Sequence, residues 1–421
     1  MSQVRDADIP AVGPHRVLYV DLAPGVGGSI HSLLLLVKHL DRTRWRPMVA
    51  LAAGHPAVGR FEALGVPVWQ VRTGVGERTG PTLGQRAAAH PVAGRLWGQA
   101  WFARAWRLAR WGRRLATRLL PQAAALVRVI RESGAELIHL NDSLTMSRPG
   151  VLAAAVAGRP CVCHVRSFDR LGWGDRLLAG RVHRLIYISQ ALRRSYEGQG
   201  IAPERGEVVY NAVELDAFEP PMDPREARRS LAIPEDASVV VTVGRLVPWK
   251  GQEIFLRALA PLIERRPGLL GLVVGGEEVY ASEYPARLRQ LAAEMGVERH
   301  VRFMGHRSDV PRILAAADAV VHTPVEPEPF GRAVVEAMAA RRPVVAAAIG
   351  AIPELVSDGV EGILVAPGDI DGVREALDRL LSDPSLRERM GAAGWARVAR
   401  DFTVERYVRG IVDVYRSLDL V

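Results

Sequence analysis

Cysteine is nearly absent. The chain has 421 residues and only two cysteines, Cys161 and Cys163, too few for a disulfide framework, so a reducing, cytoplasmic setting is expected. Standing as Cys-x-Cys before His164, they could be metal ligands. Alternate residues on one strand seldom wrap a tetrahedral ion, however, and no fourth ligand is near, so they read as core thiols and no metal is expected. Long apolar runs are missing too. The longest, at 33–37 and 269–274, fall far short of the ~20 residues a membrane span needs. Residues 1–14 are polar with proline and glycine, so neither a secretory signal nor an integral membrane protein is expected. Acid is missing from one place. Residues 78–131 hold no Asp or Glu, while Arg95, Arg104, Arg107, Arg110, Arg113, Arg114 and Arg118 punctuate them. On a helical wheel Trp97, Trp101, Leu108, Trp111, Leu115 and Leu119 form one stripe, with most arginines opposite. That pattern suits a helix lying on an anionic membrane surface, and the alternative is a stripe packed on its own domain. No nucleic-acid-binding motif accompanies the charge, so nucleic acid is not an expected partner.

What remains is globular. Hydrophobic residues make up 48% and charged ones 24%, and the length accommodates two domains with full cores. The net charge of +9 favours acidic partners. Residues 16–22 read as a buried strand feeding the loop Ala23-Pro24-Gly25-Val26-Gly27-Gly28-Ser29, then an apolar helix to Leu40. Strand, glycine-rich turn and helix form a Rossmann-like opening that lets a phosphate or sugar approach the backbone. The loop is not G-x-G-x-x-G and no acid closes the next strand (47–52), which disfavours a nicotinamide enzyme. Further strands at 66–71, 136–140, 160–165, 184–188 and 207–210 alternate with helices, predicting a first parallel α/β domain over 1–215. Pro220, Pro221 and Pro224 mark a linker. Strands at 238–243, 269–274, 300–303, 318–322, 343–346 and 362–365 predict a second α/β domain over 216–400. The final stretch, 401–421, is expected to form a helix packing back on the first domain. In such sheets ligands bind at the carboxyl ends of the strands.

The second domain carries the chemistry. In Glu328-Pro329-Phe330-Gly331-Arg332-Ala333-Val334-Val335-Glu336, Pro329 and Gly331 break the chain before a helix starts. Glu328 therefore lies in a loop and Glu336 about one and a half turns into the helix. Free N–H groups at that start suit a phosphate, and a neighbouring carboxylate can take two hydroxyls of a ribose or hexose. Upstream, Gly244-Arg245-Leu246-Val247-Pro248-Trp249-Lys250-Gly251 sets Arg245 and Lys250 at a strand end and helix start, where both can reach a diphosphate. Gly305-His306, Pro343-Val344-Val345, Gly350-Ala351-Ile352-Pro353-Glu354 and the run from Val360 to Asp369 complete the series.

In this order and spacing the chain resembles a retaining glycosyltransferase of family 4, the glycosyl transferases group 1. The resemblance is nearly whole-chain and most specific over 241–369. It implies an α/β GT-B fold, two Rossmann-like domains facing each other across a cleft. It also implies a donor set of Gly27, Gly28, Gly244, Arg245, Lys250, His306, Glu328, Phe330, Gly331, Arg332, Val334 and Glu336. Within that set Glu336 would hold the ribose hydroxyls and Glu328 the ring hydroxyls of the transferred sugar, with Phe330 and Gly331 offering backbone amides. Arg245 and Lys250 would bind the diphosphate, Gly27 and Gly28 would close over it, and the backbone near His306 would meet the base. No cofactor and no metal are implied; the leaving charge falls to Arg245, Lys250 and helix-start amides. Many relatives carry His-x-His after the strand at 136–140, whereas here Asn141 stands at the second position. His139 or His164 would take over that contact, with His164 and Arg166 preferred on the acceptor or sugar side. The implied reaction moves a hexose from a UDP- or GDP-linked donor to a sugar or lipid-linked acceptor. The implied role is bacterial surface polysaccharide, lipopolysaccharide or glycolipid synthesis, in the cytoplasm or on the inner face of the plasma membrane. The rival readings are a GT-B sugar-nucleotide epimerase and a non-catalytic nucleotide-sugar-binding scaffold.

Overall fold

The computed structural model describes residues 13–23, 25, 27–72, 115–278 and 281–418. Contacts divide the chain into two compact units. The first is Met1–Val165, Asp169–Leu185 and Arg416–Val421; the second is Arg166–Phe168 and Ile186–Tyr415. The boundary falls upstream of residue 215, and most of the last helix, Val404–Arg416, counts with the second unit.

The first sheet has seven strands in the order β3-β2-β1-β4-β5-β6-β7. They are β1 His15–Asp21, β2 Trp45–Ala52, β3 Val68–Val71, β4 Leu137–Leu140, β5 Cys161–Val165, β6 Arg184–Tyr187 and β7 Gly206–Val208. The second has six in the order β10-β9-β8-β11-β12-β13: β8 Ser238–Val243, β9 Leu269–Val274, β10 Val301–Gly305, β11 Ala319–His322, β12 Val344–Ala347 and β13 Gly362–Val365. Each strand lies within about two residues of its expected place at either end, because short apolar runs bounded by turn residues are the signature of strands buried on both faces. The sequence Val239-Val240-Val241 shows why: all three side chains are fully buried, and β-branched residues suit a pleated strand with helices above and below.

Both orders reverse direction once, between β1 and β4 in the first sheet and between β8 and β11 in the second. The register there is tight. Val20 pairs with Leu140 in parallel, and Val321 with Thr242. A crevice opens at such a reversal, because the connections on either side leave in opposite directions. Four loops therefore matter for function: those after Asp21 and Leu140 in the first unit, and after Val243 and His322 in the second.

The basic segment is described only from residue 115. A π-helical turn, Leu115–Leu119, leads into the helix Leu120–Ser133. Trp97, Trp101, Leu108, Trp111 and the arginines from Arg95 to Arg114 lie outside the described residues. None of the described helices is long and apolar enough to cross a membrane.

Candidate functional site

The second unit brings two of the expected motifs together at one carboxylate, Glu328. Strand β8 ends at Val243, Gly244 follows with φ +158°, and the chain turns through Pro248–Lys250 to Gly251. At Gly251 φ is +71°, and an added Cβ would stand 1.8 Å from the Thr323 carbonyl oxygen. Only glycine lets the turn lie this close to the end of β11. Two hydrogen bonds lock the approach: Thr323 Oγ1 donates to the Gly251 carbonyl at 3.1 Å, and the Val325 N–H to the Trp249 carbonyl at 2.9 Å.

That docking brings Lys250 to Glu328, 78 residues further along the chain. Lys250 Nζ donates to Glu328 Oε2 at 2.5 Å, and His322 Nε2 meets the same oxygen at 3.0 Å. Glu328 is buried, with 5% of its surface exposed. Burial alone would raise its pKa, but the Lys250 charge and the His322 hydrogen bond outweigh burial and hold it down at about 2. His322 is fully enclosed; burial pushes its pKa below the usual value against the pull of Glu328, and the Lys250 charge adds to the depression. The Glu328 backbone is fixed as well. Its carbonyl accepts the Ala351 N–H at 2.9 Å, and at Gly350 (φ +64°) an added Cβ would fall 2.4 Å from the Glu328 nitrogen.

Gly331, at φ +102°, opens the helix Arg332–Ala339. Its carbonyl takes the first helical hydrogen bonds, from Val334 and Val335, so the N–H groups before them have no partner within the helix. Glu336, the fifth residue, accepts from Arg332 Nη2 at 3.1 Å; the other guanidinium nitrogen, Nη1, is buried without a partner among the described residues. Phe330 and Val334 face inward. The Phe330 ring packs against Tyr210 and Phe402, with centroids 6.4 and 6.0 Å away, and Val334 is fully buried, so neither side chain is offered to a ligand. Arg245 is half-exposed, with Nη1 3.2 Å from Glu278 Oε1 and its carbonyl held by Gln252 Nε2 at 2.9 Å. His306 is exposed just after β10, beside Gly276, where an added Cβ would lie 3.5 Å from its own Cβ.

The first unit presents a smaller set. Asp21, fully buried at the end of β1, accepts from the Ala23 N–H at 3.1 Å and from Asn141 Nδ2 at 2.8 Å. The same Asn141 amide reaches the Ser29 carbonyl at 3.2 Å. Asn141, expected beside the sugar, thus anchors the glycine loop to the sheet. Gly27 caps the helix Gly28–His39 without a side-chain capping hydrogen bond among the described residues; Pro24 and Val26 lie outside them. His139 and His164 are both fully buried. Their rings stand 5.4 Å apart, and that of His139 is 5.1 Å from Tyr19. Arg166, which belongs to the second unit, is also buried, with Nη1 on Asn211 Oδ1 at 2.9 Å and Nη2 on the Tyr407 hydroxyl at 3.3 Å. Cys161 and Cys163 are buried free thiols; burial pushes the Cys161 pKa up to about 12.

Sequence reasoning missed His322, Asp21, Glu278 and the work of Glu354. Glu354 accepts the Gln190 and Ala191 N–H groups at 2.7 and 2.6 Å and the Tyr210 hydroxyl at 3.0 Å, so it caps the helix Gln190–Glu197 and secures the segment behind Gly350. A signal did exist for two of them. Asp21 and His322 are each the last residue of a central strand at a sheet's reversal point, the place where such sheets bind ligands.

Two doubly wound parallel sheets, each with its polar groups at the reversal point, define the GT-B class. The chain belongs to glycosyltransferase family 4: the Glycosyltransferase Family 4 profile matches residues 26–217 and the Glycosyl transferases group 1 profile residues 223–397. The D-inositol 3-phosphate glycosyltransferase of Frankia alni is 33% identical over 68% of this chain and 70% of its own length. Its counterpart in a Nocardioides species is 38% identical over 51% of this chain and 49% of its own length. Among solved structures, Anabaena HepE in complex with UDP and glucose superposes with a TM-score of 0.77 at 26% identity, covering 96% of this chain and 99% of that one. The same Anabaena protein has been crystallised with UDP-glucose.

Proposed function

We propose that this chain transfers a hexose from a UDP- or GDP-linked donor to an acceptor hydroxyl, with retention at the anomeric carbon and without a metal. One observation carries the reading: Lys250 and Glu328, from two motifs far apart in sequence, meet at 2.5 Å in a buried site beside Gly331, the start of the helix Arg332–Ala339 that carries a second carboxylate, Glu336. Lys250 and Arg245 supply positive charge for a diphosphate, and the N–H groups before Val334 supply oriented dipoles. Glu328 accepts hydroxyls of the sugar and Glu336 those of the ribose. In the transfer, the bond from the anomeric carbon to the diphosphate oxygen breaks as the bond to the acceptor oxygen forms on the same face. The acceptor's proton passes to the departing phosphate. Charge develops on that phosphate, which is where Lys250 and Arg245 lower the barrier. The Anabaena neighbour's UDP-glucose complex supports a nucleotide-sugar donor.

For the acceptor, the relatives' name puts D-inositol 3-phosphate among the compounds to test. The basic, tryptophan-rich residues 78–114 instead support a lipid-linked acceptor used at a membrane in surface-polysaccharide or glycolipid synthesis. Exposed Trp173 and Leu177, one turn apart on the helix Trp173–Ala179 and next to exposed Arg170 and Arg176, add to that support. The decisive experiment pairs a thermal-shift panel of UDP-, GDP-, ADP- and dTDP-sugars with Glu336→Gln and Glu328→Gln. Stabilisation by a UDP- or GDP-sugar is expected. Glu336→Gln should weaken free nucleoside diphosphate binding, and Glu328→Gln should slow sugar release or transfer while leaving that binding intact. Equal loss of nucleotide binding in both variants would undo the division of roles, and no shift with any donor would undo the proposal.

A further inference from the structure

Both hydrogen bonds that hold the Glu328 side chain fall on one oxygen. Oε2 takes Lys250 at 2.5 Å and His322 at 3.0 Å, and no described residue donates to Oε1. We propose that His322 is a positioning residue for the transfer: a neutral imidazole, protonated at Nε2, that with Lys250 clamps Oε2 and leaves Oε1 as the acceptor for the sugar's hydroxyls. The last clause rests on the proposed function; the clamp itself does not.

The tautomer follows from the partner. A carboxylate at this site has only lone pairs to offer, so the ring nitrogen facing it carries the proton. The charge state follows from the surroundings. Burial and the adjacent Lys250 ammonium disfavour an imidazolium, and together they outweigh the attraction of Glu328. The cluster then sums to zero: one cation, one anion and one neutral donor, which is the arrangement that burial tolerates. A second positive charge would instead compete with Lys250 for the carboxylate. His322 is also rigidly mounted. It is the last residue of β11, paired with Ala346 of β12, and the next residue, Thr323, is tied to Gly251 at 3.1 Å. A loop carboxylate gains its orientation from a strand in this way, and preorganising an acceptor before the sugar arrives removes an ordering cost from the reaction.

Imidazole 15N NMR of the whole protein tests the clamp directly. His322 should appear as a neutral ring protonated at Nε2 at neutral pH and should take up a second proton only below the usual imidazole range; an Nδ1-protonated ring or an imidazolium at neutral pH would overturn the proposal. Kinetics of donor hydrolysis test the consequence. His322→Gln, whose amide reaches the same distance, should keep most of the wild-type kcat, whereas His322→Asn, too short, and His322→Leu should each lose about tenfold or more, with UDP affinity unchanged in all three. Wild-type kcat in the Asn and Leu variants, or a matching loss of UDP affinity, would overturn it. If the Leu variant does not fold, the Gln and Asn pair still decides. Should the wild type neither bind nor hydrolyse any nucleotide sugar, the glycosyltransfer reading falls alone, and the NMR result still decides whether His322 holds Glu328.

Discussion

The contact between Lys250 and Glu328 carries much of the site's electrostatics, and it has two separate consequences. The first concerns rate. Lys250→Ala and Arg245→Ala each remove a charge facing the proposed leaving diphosphate, so each should cut donor turnover by ~10²–10³ while circular dichroism shows an intact fold. Turnover near wild type in both would discard the assignment. The second concerns acid stability. Folded Glu328 has its pKa lowered to about 2 from an ordinary 4.5. Its stabilising contribution is therefore full above the ordinary value and is lost as pH falls from there towards 2. Lys250→Ala removes the largest lowering influence and leaves the burial that raises the pKa, so acid unfolding should begin at higher pH than in the wild type. An unchanged acid transition would mean that Lys250 does not hold the carboxylate in solution. Arg245 differs from Lys250. Its partner Glu278 is part-exposed, so loss of Arg245 should leave the acid transition where it is.

Strands and turns position these residues, and glycines set how closely they approach. Gly251→Ala would force a Cβ against the Thr323 carbonyl at a positive φ, separating the Lys250 turn from β11. A loss of ~1–3 kcal/mol for the strained conformation alone is expected, read as a lower urea midpoint, together with loss of donor turnover. A variant as stable and active as wild type would show that this close packing is dispensable. The elements themselves were largely legible in the sequence. Val239-Val240-Val241 and Ala319-Val320-Val321 are apolar enough to be recognised as strands buried on both faces, and Pro329 and Gly331 punctuate the chain just before a helix. The loops' internal bonds were not legible. The pattern around Asn141 gives no sign that its amide bonds Asp21 and Ser29, which the fold shows. Arg166 likewise reads as a basic group after a strand, yet it is buried on Asn211 and Tyr407, one of them more than two hundred residues away. His322 was hidden for the opposite reason: as the end of an apolar run it looks structural, and its importance lies in a partner six residues later.

At the scale of the whole molecule, the two sheets and their reversal points account for where the functional groups gather in each unit. The strong basic balance accounts for a further expectation. The protein should sediment with anionic vesicles at low salt and release as salt screens the attraction. Trp173→Ala/Leu177→Ala should weaken the binding without unfolding the chain, as should Trp97→Ala/Trp101→Ala. Indifference of the wild type to anionic vesicles would remove the membrane from the account and leave the chemistry untouched. That chemistry is tested most directly by the stereochemistry of the sugar released from an α-linked UDP-hexose when water is the acceptor. Proton NMR can observe the first-formed anomer before mutarotation, so no knowledge of the natural acceptor is needed. The α-anomer should appear first, with the signal then drifting towards the equilibrium mixture. First appearance of the β-anomer would contradict it.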